Sequence, residues 1–254
     1  MLIKLVTAAA VVMAAVVGAG FMILTAPAVG APTLNATAGQ AQTVGALFTL
    51  TRTGALASHF CTASVVDSPS GDLVLTAAHC VSSHSVGAVA FVPDYSNGHM
   101  PYGIWMVTQV IVNQAWSSAA DPDDDFAFLV VSQRDSKASV EQFTGGETIQ
   151  TGTPPGRKVK VAGYPDGAGT MISCINNAMA YSPTQFVFDC GGFEDGTSGS
   201  PLLAGISTPG SPGIVIGVIG GFQQGGDTPA VSYAARFSTD MAALYKTAIA
   251  AAGS

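Results

Sequence analysis

Short runs rich in apolar and β-branched residues, each closed by turn-forming residues, recur along the chain from residue 44 onward: VGALFTLTR, HFCTASVV, DLVLTAA, GAVAFVP, IWMVTQVIV and DFAFLVV. A second set follows as KVKVAGYP, AMAYS, TQFVFDC, SPLLAG, GIVIGVIGG and AVSYAARF. Many short strands with turn signals between them are the signature of an all-β sandwich or barrel rather than of long helices. The 30 glycines and 14 prolines fit the many tight turns this requires. A polar connector over roughly residues 132–152 separates the two sets, so the chain reads as two β-halves. Beyond them, Ser238-Thr239-Asp240 precedes MAALYKTAIAAAG, which predicts a capped helix over about 239–252 stopped by Gly253.

The start of the chain has a different character. Residues 5–24 are almost all apolar, follow Lys4, and lead into the small residues APAVGA. This pattern predicts a secretory signal peptide over 1–28, cut after Ala28, with a membrane anchor as the alternative reading of the same run. Residues 29–42 are small and polar without a period, as in a linker or short pro-segment, and the folded domain is expected over 43–254. A net charge of −7 with only 9 Lys and Arg offers no electrostatic footprint for nucleic acid, nor for an anionic membrane surface once the signal is removed. Four cysteines in an exported chain read as two disulfides. Of the three possible pairings, Cys61–Cys80 with Cys174–Cys190 is the local one. Zinc is the competing use of such residues, but no C-x-x-C or H-x-x-x-H spacing supports it.

Three segments carry residue types suited to nucleophilic chemistry. Ser198 lies in GTSGSP, where flanking glycines let the backbone turn sharply and aim the N–H groups of Gly196 and Ser198 at one point, as an oxyanion hole needs. His79 ends LVLTAAHC, at the end of an apolar strand and beside Cys80. Asp125 is the last acid of DPDDDFAFLV and the one nearest the apolar strand. It is therefore the one most readily carried inside, where a carboxylate needs hydrogen-bonding partners. Asp124 is the second choice, and Asp121 and Asp123 are expected in solvent. The other histidines, His59, His84 and His99, lack a comparable setting.

The order His, Asp, Ser, together with TAAHC, DFAFL, GYP and GTSGSP, resembles the trypsin-like (chymotrypsin-class) serine peptidase superfamily over about residues 43–250. GYP and the SGSP ending are most similar to its bacterial glutamyl-endopeptidase-like branch. The resemblance implies two six-stranded antiparallel β-barrels, one over about 43–135 and the other over about 150–237, with the active site in the cleft between them. It also implies the Cys61–Cys80 bridge and the triad His79, Asp125 and Ser198. Three positions depart from the family's patterns. Thr197 stands where animal relatives carry the acid of their zymogen switch. Gly192 stands where trypsins carry a pocket aspartate. Ile219, in GVIGG, stands where glutamyl endopeptidases carry a histidine. Gly192, Ile219, Gly220, Gly221 and Phe222 are then the expected substrate pocket, uncharged and apolar. An inward swing of the nearby Asp189, Glu194 or Asp195 would instead favour Lys or Arg.

The signal-peptide pattern and the resemblance together lead to the expectation of a secreted, extracellular and monomeric endopeptidase. It would act on protein or peptide substrates by acyl transfer, with no metal or organic cofactor. A non-catalytic binding or adhesion module of the same fold, and an esterase using the same triad, are the competing readings.

Overall fold

The computed structural model describes residues 41–133, 136–206 and 211–253. The expected signal peptide, and all but the end of the expected linker, lie outside the described residues.

Six strands close the first barrel: β1 (Val44–Leu50), β2 (Leu56–Val65), β3 (Leu73–Thr76), β4 (Val89–Pro93), β5 (Trp105–Val112) and β6 (Ala127–Ser132), in the order β1-β2-β3-β6-β5-β4. All pairings are antiparallel. A short strand β7 (Thr148–Ile149) leads to the second barrel: β8 (Arg157–Gly163), β9 (Ile172–Ala180), β10 (Gln185–Asp189), β11 (Pro201–Ala204), β12 (Ile214–Ile219) and β13 (Val231–Arg236). These run in the order β11-β8-β9-β10-β13-β12, and β11 pairs with β12 to close the ring. The fold is thus the expected pair of six-stranded antiparallel barrels, with two additions. β7 lies inside the connector and pairs parallel with β12. β9 begins at Ile172, well before the AMAYS run, because its polar Asn176 and Asn177 hide a strand whose buried residues include Ile172, Cys174 and Ala178.

Strands β3, β4 and β6 of the first barrel read as nearly unbroken apolar runs because both of their faces are covered. Along β6, Ala127, Leu129 and Val131 pack inside the barrel with Leu47, Val74, Phe91 and Trp105. The alternate residues Phe128 and Val130, with the preceding Phe126, join a cluster that contains Tyr164, Leu203, Val218 and Phe237 of the second half. The C-terminal helix, Thr239–Ala252, starts on the Ser238 cap and lays Met241, Leu244 and Ala248 into that same cluster. Phe186, Phe188, Leu202 and Ile216 fill the second barrel. Both expected disulfides are present, Cys61–Cys80 and Cys174–Cys190, with Cα atoms 6.2 and 6.3 Å apart. No helix among the described residues is long and apolar enough to cross a membrane.

One buried acid ties the halves together. Glu147 is 1% exposed; Thr43 Oγ1 donates to its Oε1 at 2.5 Å and the Gly213 N–H donates to its Oε2. Burial pushes its carboxyl above the ordinary glutamate value, against the two donors and the nearby Lys160 charge. Burial raises Asp72, Asp124 and Glu141 as well. A carboxyl raised in the folded chain keeps its proton while the unfolded chain has already ionised. Stability is therefore full below the unfolded value and falls as pH rises through the raised folded value. The thermal midpoint is expected to drop as pH increases from the carboxylate range toward neutrality. Glu147→Gln should flatten that slope, since Gln can accept from Gly213 and donate to the Thr43 hydroxyl. A midpoint rising over this interval, or an unchanged slope in the variant, would contradict the assignment.

Candidate active site

The His79 residue sits in a single helical turn, α1 (Ala78–Val81), directly after β3. Asp125 follows a 3-10 turn, Pro122–Asp124, whose N-cap Asp121 accepts from the Asp123 N–H at 3.0 Å. That turn carries Asp125 inward just before β6, where it is 0% exposed. Its two oxygens receive three donors. Oδ1 accepts from the His79 backbone N–H at 2.9 Å, and Oδ2 accepts from His79 Nδ1 at 2.7 Å and from the Gly221 N–H at 2.8 Å. Three N–H donors thus meet the hydrogen-bonding needs of a carboxylate buried away from water. Asp124 points elsewhere, receiving the Asn113 amide, while Asp123 and Asp121 are partly buried within the turn rather than free in solvent.

Ser198 comes from the loop before β11, and the first barrel holds that loop in place. The Thr62 N–H donates to the Ser198 carbonyl oxygen at 2.8 Å, and Thr62 Oγ1 donates to the Gly196 carbonyl oxygen at 3.0 Å. The same Thr62 hydroxyl accepts from the Tyr164 N–H at 2.9 Å, which ties in the GYP segment. Gly196 has φ +90°, and a Cβ there would lie 2.6 Å from both the Tyr164 oxygen and the Asp166 nitrogen, so only glycine fits. Among the described residues, no protein group receives the N–H of Gly196 or of Ser198. The Ser198 hydroxyl donates to the Gln224 carbonyl oxygen at 3.5 Å, and no hydrogen bond joins it to His79 Nε2.

His79, Ser198 and Gly196 line one cleft of about 720 Å³. Its walls include Phe193, Ile219, Gly225 and Gly226, and three carboxylates, Glu194, Asp195 and Asp227, stand exposed on it without a Lys or Arg. Of the expected pocket residues Ile219 lines this cleft, whereas Gly192, Gly220, Gly221 and Phe222 do not. For Gly220, Gly221 and Phe222 the reason lies in the backbone after β12. The chain turns at Gly221 (φ +78°), and Gln223 and Gln224 both adopt left-handed φ near +52°. This sends the Phe222 ring against Tyr181 and Tyr233, with centroids 4.8 and 5.0 Å away. His84 also lines the cleft, tilted against Phe60, whereas His59 is buried and bonded through Nε2 to the Ala168 carbonyl oxygen. Cys61, His79 and Cys80 are the one grouping of metal-ligand atoms among the described residues. Its two sulfurs are bonded to each other and offer no thiolate.

A double β-barrel with a histidine–carboxylate pair and a glycine-flanked serine on one cleft defines the serine peptidase class. The chain belongs to the trypsin-like peptidase family: the family profile described as "Trypsin-like peptidase domain" matches residues 57–206, and with it the chain falls among the serine endopeptidases. Solved structures of the same fold include the protease Anisep from Arthrobacter nicotinovorans, 24% identical with a TM-score of 0.70 over 84% of this chain and 97% of that one. The thermostable serine protease AL20 from an extremophilic microorganism is 24% identical, with a TM-score of 0.69 over 84% and 99%. A Glu endopeptidase is 17% identical, with a TM-score of 0.67 over 88% and 98%. No curated protein matches the chain.

Proposed function

We propose that the protein is an exported endopeptidase that cleaves peptide bonds by acyl transfer through His79, Asp125 and Ser198. The observation that carries this reading is the 2.7 Å bond from His79 Nδ1 to a fully buried Asp125, on the cleft that also holds Ser198 and the unengaged N–H groups of Gly196 and Ser198. In the reaction the Ser198 hydroxyl leaves Gln224 and turns to His79 Nε2, which takes its proton as Oγ attacks the peptide carbonyl. Asp125 holds the imidazole with Nδ1 protonated and Nε2 free, and stabilises the imidazolium. The Gly196 and Ser198 N–H groups receive the oxyanion, and His79 returns the proton to the leaving amine. Water repeats the sequence on the acyl-enzyme. Two disulfides suit an oxidising compartment, which agrees with removal of residues 1–28 on export and a catalytic domain over 43–254. Complete retention of the triad residues favours an enzyme over a non-catalytic module.

The cleft also favours a substrate class. Burying an apolar side chain between Phe193 and Ile219 gains about 1.5–3 kcal/mol, more than the roughly 0.2–1 kcal/mol of an ion pair with an exposed carboxylate. Glu194, Asp195 and Asp227 repel an acidic side chain. Cleavage is therefore expected after Leu, Phe and similar residues, and least after Glu. A denatured protein mixture treated with the enzyme and read by mass spectrometry tests both points. Absence of new termini would sink the peptidase reading, and a preference of about tenfold for Arg or Glu over Leu and Phe would sink the pocket reading.

A further inference from the structure

Gln185 is the first residue of β10 and only 4% exposed, and every polar group of its amide is in use. Nε2 donates to the Pro122 carbonyl oxygen at 2.9 Å and to Asp123 Oδ1 at 2.7 Å, and Oε1 accepts from the Phe222 N–H at 3.3 Å. Pro122 and Asp123 form the turn of the first barrel that delivers Asp125. Phe222 follows Gly221, whose N–H bonds Asp125 Oδ2. The amide reaches this position because residue 221 is glycine: a Cβ there would lie 2.2 Å from Gln185 Oε1.

We infer that Gln185 is a positioning residue of the catalytic apparatus, holding from the second barrel the two segments that converge on Asp125. The inference rests on the triad reading above. Each segment has supports of its own: Asn113 holds Asp124, and Tyr181 and Tyr233 hold the Phe222 ring. Apart from Asp125, Gln185 is the one side chain among the described residues that bonds to both. It is absent from the cleft lining, so it acts through Asp125 and not on substrate. The Gly221 N–H and the Pro122 turn sit on different barrels. If they drift apart, Asp125 cannot keep both Gly221 and His79 at hydrogen-bond distance, and the imidazole loses its fixed orientation.

Gln185→Leu keeps the backbone pairing of β10 and a side chain of similar bulk but makes none of the three bonds. It is expected to lower kcat by about 10- to 100-fold, the order that follows from displacing a catalytic group by a fraction of an ångström to one ångström. KM should stay close to that of the wild type, because Gln185 itself does not line the cleft. The low-field proton resonance of the His79–Asp125 hydrogen bond should shift or broaden, a signature that mere loss of packing would not move. Asp123→Ala removes one of the three bonds at a partly exposed position, so it should show the same pattern in smaller measure even where Gln185→Leu does not fold. Wild-type kcat in the folded variants, a loss confined to KM, or an unmoved resonance would overturn the inference. A wild-type protein that hydrolyses no peptide overturns the triad reading as well.

Discussion

Ser198→Ala is expected to lower kcat by about 10⁶ and to abolish labelling by a serine-directed fluorophosphonate, while leaving the fold intact. The variant removes one hydroxyl whose one hydrogen bond among the described residues is the 3.5 Å bond to the Gln224 carbonyl oxygen. The backbone bonds that hold the loop, Thr62 to the Ser198 oxygen and Gly199 to the Ile219 oxygen, do not involve that hydroxyl. The thermal midpoint should therefore move little, and the kinetic loss can be read as chemistry. His79→Ala should cost a comparable factor. The double variant should cost no more than either alone, because the nucleophile and its base act as a unit. Residual hydrolysis of about 10³–10⁴ over water should survive, since the Gly196 and residue-198 N–H groups remain. Turnover near the wild-type rate in Ser198→Ala, checked against a labelled wild-type control, would remove Ser198 from the mechanism.

The elements whose pattern is local were legible in the sequence. Apolar, β-branched runs and the turn residues between them marked nearly every strand, and Ser238 and Gly253 marked both ends of the last helix. TAAHC and GTSGSP marked His79 and Ser198, which line one cleft, and DFAFL marked Asp125, which is buried and bonded to His79. Contacts made across long sequence separations were not legible. Thr62 looks like any β-former in HFCTASVV, yet its hydroxyl joins Gly196, 134 residues away, and Tyr164, 102 residues away. Gln185 opens an ordinary strand, and nothing in TQFVFDC announces an amide bonded to the Asp125 turn. Which of the expected pocket residues face the cleft depends on a backbone conformation. Reading Gly220, Gly221 and Phe222 as walls assumes extended chain beyond Ile219. Left-handed φ at Gln223 and Gln224 turns it instead, and such angles at residues other than glycine are rare enough that sequence does not foretell them.

Asp125→Asn should cost about 10⁴ in kcat, and the hydrogen-bond pattern gives the reason. The carboxylate accepts three N–H groups on two oxygens in a site with no solvent exposure, and an amide has one oxygen to offer. If the amide oxygen takes the Oδ2 place, it can still receive His79 Nδ1–H and Gly221 N–H, but its NH₂ then faces the His79 backbone N–H, donor against donor. If the amide is flipped, the His79 backbone is satisfied, but NH₂ faces the Gly221 N–H and His79 Nδ1. The ring must then accept at Nδ1 and carry its proton on Nε2, where it cannot take one from Ser198. Either arrangement leaves a buried donor unpaired, at about 1–3 kcal/mol, so the thermal midpoint should fall where that of Ser198→Ala does not. The two effects separate in a single experiment. Stopped-flow acylation with an activated ester reports the base, since a good leaving group leaves proton abstraction from Ser198 as the demanding step, and a melting curve on the same sample reports the buried donor. A variant with unchanged acylation would show that Asp125 does not set the tautomer of His79. A variant that is slow yet melts with the wild type would show that the three donors find other partners when the carboxylate is gone.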